Sequence, residues 1–170
     1  MEALIMQITR HGATMQTNGD ALALGHELPR FSVENAQHQP VSNADMTGDM
    51  TLISVVPDIN TRVCSISTKA FNQAMDSFQD ISFYTISTNT VDQQQNWCAA
   101  EDVTKMQLLS DTDASFGRAM GLYTPDNGTD ARSVWITNRD GVVVYREVIT
   151  EQTDEPDYAS ALAFLETHRG

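Results

Sequence analysis

A cysteine that follows a buried strand and opens a helix can act as a nucleophile, and this chain has one in Pro57-Asp58-Ile59-Asn60-Thr61-Arg62-Val63-Cys64. The apolar run Met50 to Val56 before it reads as a strand, and Ser65 to Phe78 after it reads as a helix. Unpaired N–H groups and the dipole at a helix start favour negative charge, so they favour thiolate over thiol, and thiolate is the reactive form. A free thiol with a pKa near 8.5 is only about 3% ionised at pH 7. Lowering that pKa to roughly 6 makes it about 90% ionised, for about 3.4 kcal/mol of differential stabilisation.

The second cysteine, Cys98, lies 34 positions further on. Two cysteines are too few for a disulfide scaffold. With no histidine nearby at ligand spacing they make a zinc site improbable. In a reducing compartment such a pair is either two inert buried thiols or a transient catalytic disulfide. The four histidines, His11, His26, His38 and His168, are scattered among turns and a terminus and read as surface residues. Trp97 and Trp135 read as core or edge aromatics.

The elements that must position these residues follow from periodicity. Met6–Thr9 and Thr14–Thr17 flank His11-Gly12-Ala13 as a hairpin. Phe31–Glu34 alternates as a strand, and a polar loop ending at Gly48-Asp49 leads into the Met50–Val56 strand. In the helix after Cys64, Ile66, Ala70, Phe71, Ala74 and Phe78 form an apolar face. Ile81–Ile86 is a strand, Val91–Trp97 a short helix with Cys98 at its end, and Met106–Leu109 a strand. Asp113–Met120 is a helix stopped by Gly121, and Tyr123–Asp130 a loop. Ser133–Thr137 and Val142–Val148 flank the turn Asn138-Arg139-Asp140-Gly141. Thr153-Asp154-Glu155-Pro156 caps a last helix reaching about His168. Strands alternating with helices and a late antiparallel pair imply an α/β fold: a mixed central sheet, helices on both faces and an N-terminal β-hairpin. This is the element order of a thioredoxin-like fold.

The 170 residues suggest a single domain over 1–170, long enough for a proper core. A net charge of −13 argues against nucleic acid or an anionic membrane as the main partner. No apolar run approaches the roughly 18 residues that span a bilayer, and Met1–Arg10 lacks the pattern of a secretory signal. The expected location is cytoplasmic.

Pro57, Thr61 and Cys64 fit the Pro-x-x-x-Thr/Ser-x-x-Cys pattern of the peroxiredoxins. Further segments resemble the thiol peroxidase branch, the atypical two-cysteine type: Trp97-Cys98, Leu109-Ser110-Asp111 before Ala114-Ser115-Phe116-Gly117, Ala131-Arg132-Ser133-Val134, and Glu155-Pro156-Asp157-Tyr158. The similarity runs from about residue 6 to 167. Arg62 departs from it, since the branch often has proline there. Ser110–Phe116 is about one residue short, and Ser110 reads as structural.

The resemblance implies roles residue by residue. Cys64 would be the peroxidatic cysteine, Thr61 would orient the peroxide, and Arg132 would hold the thiolate and the lengthening O–O bond. Pro57 would shield the site, and Cys98 would be the resolving cysteine. It further implies an intramolecular Cys64–Cys98 disulfide recycled by thioredoxin, a hydroperoxide substrate, a homodimer, and no metal or organic cofactor. An alternative use of the same pair is a non-enzymatic redox sensor. Titration of thiolate absorbance in a Cys98→Ser variant is expected to place the Cys64 midpoint near about pH 6. A midpoint above pH 8 would refute the helix-start argument.

Overall fold

The computed structural model describes residues 7–59, 66–94 and 106–168. The chain opens with a hairpin, β1 (Gln7–Arg10) and β2 (Ala13–Gln16). Its turn is made by His11 and Gly12, both at positive φ, the twist that suits a tight hairpin. β3 (Ser32–Glu34) and β4 (Pro40–Ser42) come next, followed by a 3₁₀ turn over Asn43–Met46. Then come β5 (Met50–Val55), α1 (Ile66–Met75), β6 (Ile81–Ser87), α2 (Val91–Gln94), β7 (Gln107–Ser110) and α3 (Ser115–Met120). β8 (Tyr123–Thr124), β9 (Thr129–Asp130), β10 (Ser133–Thr137), β11 (Val143–Val148) and α4 (Tyr158–His168) complete the order.

Among the described residues, seven strands form one mixed sheet in the order β11-β10-β5-β6-β7-β3-β4. β5, β6 and β7 are parallel; β10 runs antiparallel to β5. Alternation along the central strands divides the apolar residues between two cores. Leu52, Phe83, Val134 and Ile136 face Phe71 and Met75 of α1 and Ala161 and Leu165 of α4. Ile53, Val55, Ile86 and Trp135 face Phe116 and Met120 of α3, together with Ile8 and Met15 of the hairpin. Helices therefore cover both faces, as the pattern of elements implied.

Three readings need correction. The polar loop before Gly48 contains β4 and the 3₁₀ turn, because Val41 and Met46 each bury an apolar side chain. The Tyr123–Asp130 loop is a small hairpin, β8 paired with β9, around the turn of Asn127 and Gly128. The last helix is capped by Asp157 rather than by Thr153 to Pro156: its carboxylate accepts from the N–H and hydroxyl of Ser160 at 3.1 and 2.6 Å. All four histidines are exposed and Trp135 is fully buried, as read. The stop at Gly121 is also as read, and its reason is visible. Gly121 has φ +74°, and a Cβ there would lie 1.9 Å from the backbone oxygen of Asp20. Gly121→Ala is therefore expected to destabilise by at least about 1–2 kcal/mol, read as a lower urea midpoint. An unchanged midpoint would contradict this packing.

Candidate active site

The strand directions bring five chain segments to one end of the sheet. β5, β6 and β7 are parallel, so the residues after Val55, after Ser87 and after Ser110 leave at the same edge. β10 is antiparallel to β5 with Ser133 opposite Val55. This places Arg132, just before β10, level with Val56, just before Pro57. β11 returns with Val148 opposite Ser133, which adds residues 149–153 to the group. The carboxyl ends of parallel strands are where α/β sheets open crevices for ligands.

The segment leaving β5 is held from β6. The N–H of Val56 donates to the Ile86 carbonyl at 3.0 Å, and Pro57 is buried. Asn89 then clamps the next two residues: its Oδ1 accepts from the Ile59 N–H at 3.0 Å and its Nδ2 donates to Asp58 Oδ1 at 2.9 Å. Asn89 is fixed in turn, since its carbonyl accepts from the Ser110 hydroxyl at 2.6 Å. Thr90 and Gln93 form a reciprocal cap at the start of α2, with bonds of 3.2 and 3.0 Å. Gln94, buried, donates to Ser87 Oγ and to the Leu109 carbonyl, both at 2.9 Å. The chain therefore enters the cysteine segment from a fixed direction.

Arg132 is half-buried. Its Nε donates to the Gln152 carbonyl at 3.0 Å, and its backbone N–H donates to Gln152 Oε1 at 2.6 Å. Burial lowers its pKa from the ordinary arginine value, with Arg10 acting the same way, while Tyr158 and Glu155 oppose that by favouring the charge. A guanidinium stays protonated against such a shift, so the site keeps a fixed cation. Tyr158 also stacks on Phe71 of α1, with ring centroids 4.4 Å apart. An apolar groove of about 490 Å³ lies alongside, between Ala70, Phe71 and Ala74 of α1 and Pro156, Tyr158 and Leu162 at the start of α4.

This arrangement agrees with the relationships of the chain. The profile described as AhpC/TSA family matches residues 24–146. The chain belongs to the AhpC/TSA family. It is 38% identical over 153 residues to a thiol peroxidase of Bacillus subtilis (strain 168), covering 89% of this chain and 92% of that one. It is 36% identical over 158 residues to a thiol peroxidase of Staphylococcus aureus (strain MRSA252), covering 92% and 96%. Two solved structures share the fold. A peroxiredoxin-like protein from Aquifex aeolicus superposes with a TM-score of 0.82 at 22% identity, over 96% of this chain and 98% of that one. The thiol peroxidase from Chromobacterium violaceum does so with a TM-score of 0.81 at 15% identity, over 95% and 96%. The resemblance read from the sequence, to the thiol peroxidase branch of the peroxiredoxins, is borne out.

Of the AhpC/TSA site residues expected from sequence, Pro57 and Arg132 are placed together at the same end of the sheet. Thr61, Cys64 and Cys98 lie outside the described residues, as do Arg62 and Trp97. Ser110 has the structural part expected of it, holding Asn89. Sequence reasoning missed Asn89, Gln94 and Gln152. Thr90-x-x-Gln93 carried a capping-box signal beside Asn89; Gln152 carried none.

A further pair was also missed. Asp111 accepts from the N–H groups of Phe116 and Gly117, both at 2.9 Å, and so anchors α3. Behind it Asp130 is completely buried, and neither of its carboxyl oxygens has a well-formed hydrogen bond among the described residues. A Cβ on Gly117 would lie 1.8 Å from an Asp130 oxygen, so only glycine permits this approach. Burial first, and then Asp111, push the Asp130 pKa well above the ordinary carboxylate range.

The sign of the resulting pH dependence follows. The unfolded chain releases this proton near about pH 3.9 while the folded chain retains it. Its contribution to stability is thus full below that pH and falls as pH rises toward the folded pKa. Asp130→Asn, which needs no proton to stay neutral, is expected to gain on the native protein between pH 4 and 8, read from urea midpoints. A gap independent of pH would show that Asp130 is ionised.

Proposed function

We propose that this thiol-dependent peroxidase works through Cys64 as the attacking thiolate and Cys98 as the thiol that resolves it. The sulfur of Cys64 attacks the distal oxygen of a hydroperoxide. An S–O bond forms as the O–O bond breaks, and the departing alkoxide or hydroxide takes a proton to leave as alcohol or water. Cys64 is then a sulfenic acid, two electrons more oxidised. The Cys98 thiol condenses with it, forming the disulfide and releasing water. Thioredoxin, as dithiol, returns both cysteines to thiols by exchange. The working form is a homodimer.

One observation carries this reading: Arg132 is held as a fixed cation at the end of the sheet from which the chain enters the Cys64 segment. Displacement on oxygen needs an anionic sulfur, an aligned peroxide and donors aimed where charge develops. The Arg132 guanidinium supplies a positive charge and planar donors. Thr61 supplies a hydroxyl that can both donate and accept. Pro57, buried beside Val56, withdraws water from that edge. The apolar groove along Phe71 and Tyr158 supports a preference for alkyl hydroperoxides. No helix among the described residues is long and apolar enough to cross a membrane.

Hydroperoxide turnover by the native protein, Cys64→Ser and Cys98→Ser tests the scheme. Cys64→Ser is expected to abolish turnover. Cys98→Ser is expected to retain one stoichiometric turnover and lose thioredoxin-driven cycling. Undiminished activity in Cys64→Ser would remove the catalytic assignment. Disulfide formation without catalytic peroxide consumption would make the native protein a redox sensor instead.

A further inference from the structure

We propose that Gln152 is the positioning residue for Arg132: its side-chain amide is built into the sheet edge between Arg132 and Ile149 and sets where the guanidinium leaves the backbone. The inference rests on the assignment of Arg132 to the peroxide.

The register of β10 and β11 shows how. Ser133 lies opposite Val148, so Arg132 and Ile149 would form the next pair and exchange two backbone hydrogen bonds. Only one of the two is made directly: the Ile149 N–H donates to the Arg132 carbonyl at 3.0 Å. The other is replaced by Gln152. Its Oε1 accepts from the Arg132 N–H at 2.6 Å, and its Nε2 donates to the Ile149 carbonyl at 2.7 Å. A primary amide can do this because it carries an acceptor and a donor side by side. Hydrocarbon side chains have neither group, a hydroxyl carries both on one atom and cannot span the two, and a carboxylate has only acceptors.

The inserted amide does more than satisfy two groups. It opens the pair on one side only, the Ile149 N–H still reaching the Arg132 carbonyl, and the Gln152 carbonyl in turn accepts from Arg132 Nε at 3.0 Å. The N–H, carbonyl and Nε of Arg132 are thus all fixed by the Ile149–Gln152 turn.

Gln152 is itself held, and by a remote element. It is 4% exposed, and its N–H donates to the Thr9 carbonyl of β1 at 2.7 Å. Next to it, the Glu151 carboxylate accepts from the Gly12 N–H at 2.9 Å and the Thr9 hydroxyl at 3.1 Å. Two bonds from Thr153, with those from Gly12 and Thr9, hold the Glu151 pKa at about 2. The N-terminal hairpin is therefore the frame against which the arginine is aimed.

Removing the amide strands a buried N–H and a buried carbonyl, and the strand pair must either close by one residue or splay. Either response shifts the guanidinium, and small misplacements of a catalytic group are costly in rate. A merely structural Gln152 would lower stability without acting through Arg132, and a double-mutant cycle separates the two cases.

The test measures the second-order rate with cumene hydroperoxide at pH 7 and the Cys64 thiolate midpoint. The proteins are the native chain, Gln152→Leu, Arg132→Lys and the double variant, each checked for folding by circular dichroism. Gln152→Leu is expected to lower the rate about tenfold and raise the thiolate midpoint. Within Arg132→Lys it is expected to change the rate by less than about twofold. Should the leucine variant fail to fold, Gln152→Glu, which keeps the acceptor for the Arg132 N–H, takes its place in the cycle, with a smaller loss expected. An unchanged rate in the Gln152 variant, or equal losses in both backgrounds, overturns the role of Gln152 alone. A full rate in Arg132→Lys overturns the assignment of Arg132 itself.

Discussion

The antiparallel placement of β10 against β5 is the constraint on which the site depends. A parallel sheet alone delivers strand ends and the helices that follow them. It does not deliver a residue that precedes a strand to the same edge. Because β10 runs the other way, the residue before its first pair, Arg132, arrives where β5 ends and the cysteine segment begins. The sheet thereby brings together two positions 75 residues apart in sequence, Pro57 and Arg132, at one end of the sheet.

Holding a cation there requires balance. Burial disfavours the charge, and groups fixed in the fold favour it: the Gln152 carbonyl and the Glu155 carboxylate. These come from the segment between β11 and α4. That segment is tied on one side to the N-terminal hairpin through Thr9 and Glu151, and on the other to α1 through the Tyr158–Phe71 stack. The opposite wall, Asn89 with Ser110, fixes the exit from β5. The exit from β5 and the approach to β10 are therefore both held by hydrogen bonds from neighbouring elements.

Much of this was legible in the chain. Apolar runs at β5 and β6 and the helical face of α1 are strong periodic signals because each buries a continuous surface. Gly12, Gly121 and Gly141 marked turns because their backbone adopts positive φ. The β8–β9 hairpin and β4 were less visible, since each is short and owes its existence to pairing rather than to its own pattern. Pro156 suggested the start of α4, but the capping carboxylate is one residue later, at Asp157, where Ser160 can reach it. The Asp111–Asp130 pair was beyond reach from sequence. Nothing in either residue's neighbours signals that one anchors a helix and the other lies fully buried behind it.

By itself the sequence determined the chemistry available and the class of fold: a cysteine seven residues after Pro57 and three after Thr61, a second cysteine downstream, and alternating strands and helices. These are local facts, written in residue types at short spacing. Only the tertiary structure decided how Arg132 is held and what holds it. Gln152, Glu151 and Asn89 have ordinary side chains in ordinary contexts. They acquire their parts from strand register and from a hairpin some 140 positions away in the chain. Hydrogen bonds across such separations are set by which backbone groups the sheet leaves unpaired, and no stretch of sequence states that until the strands are in place.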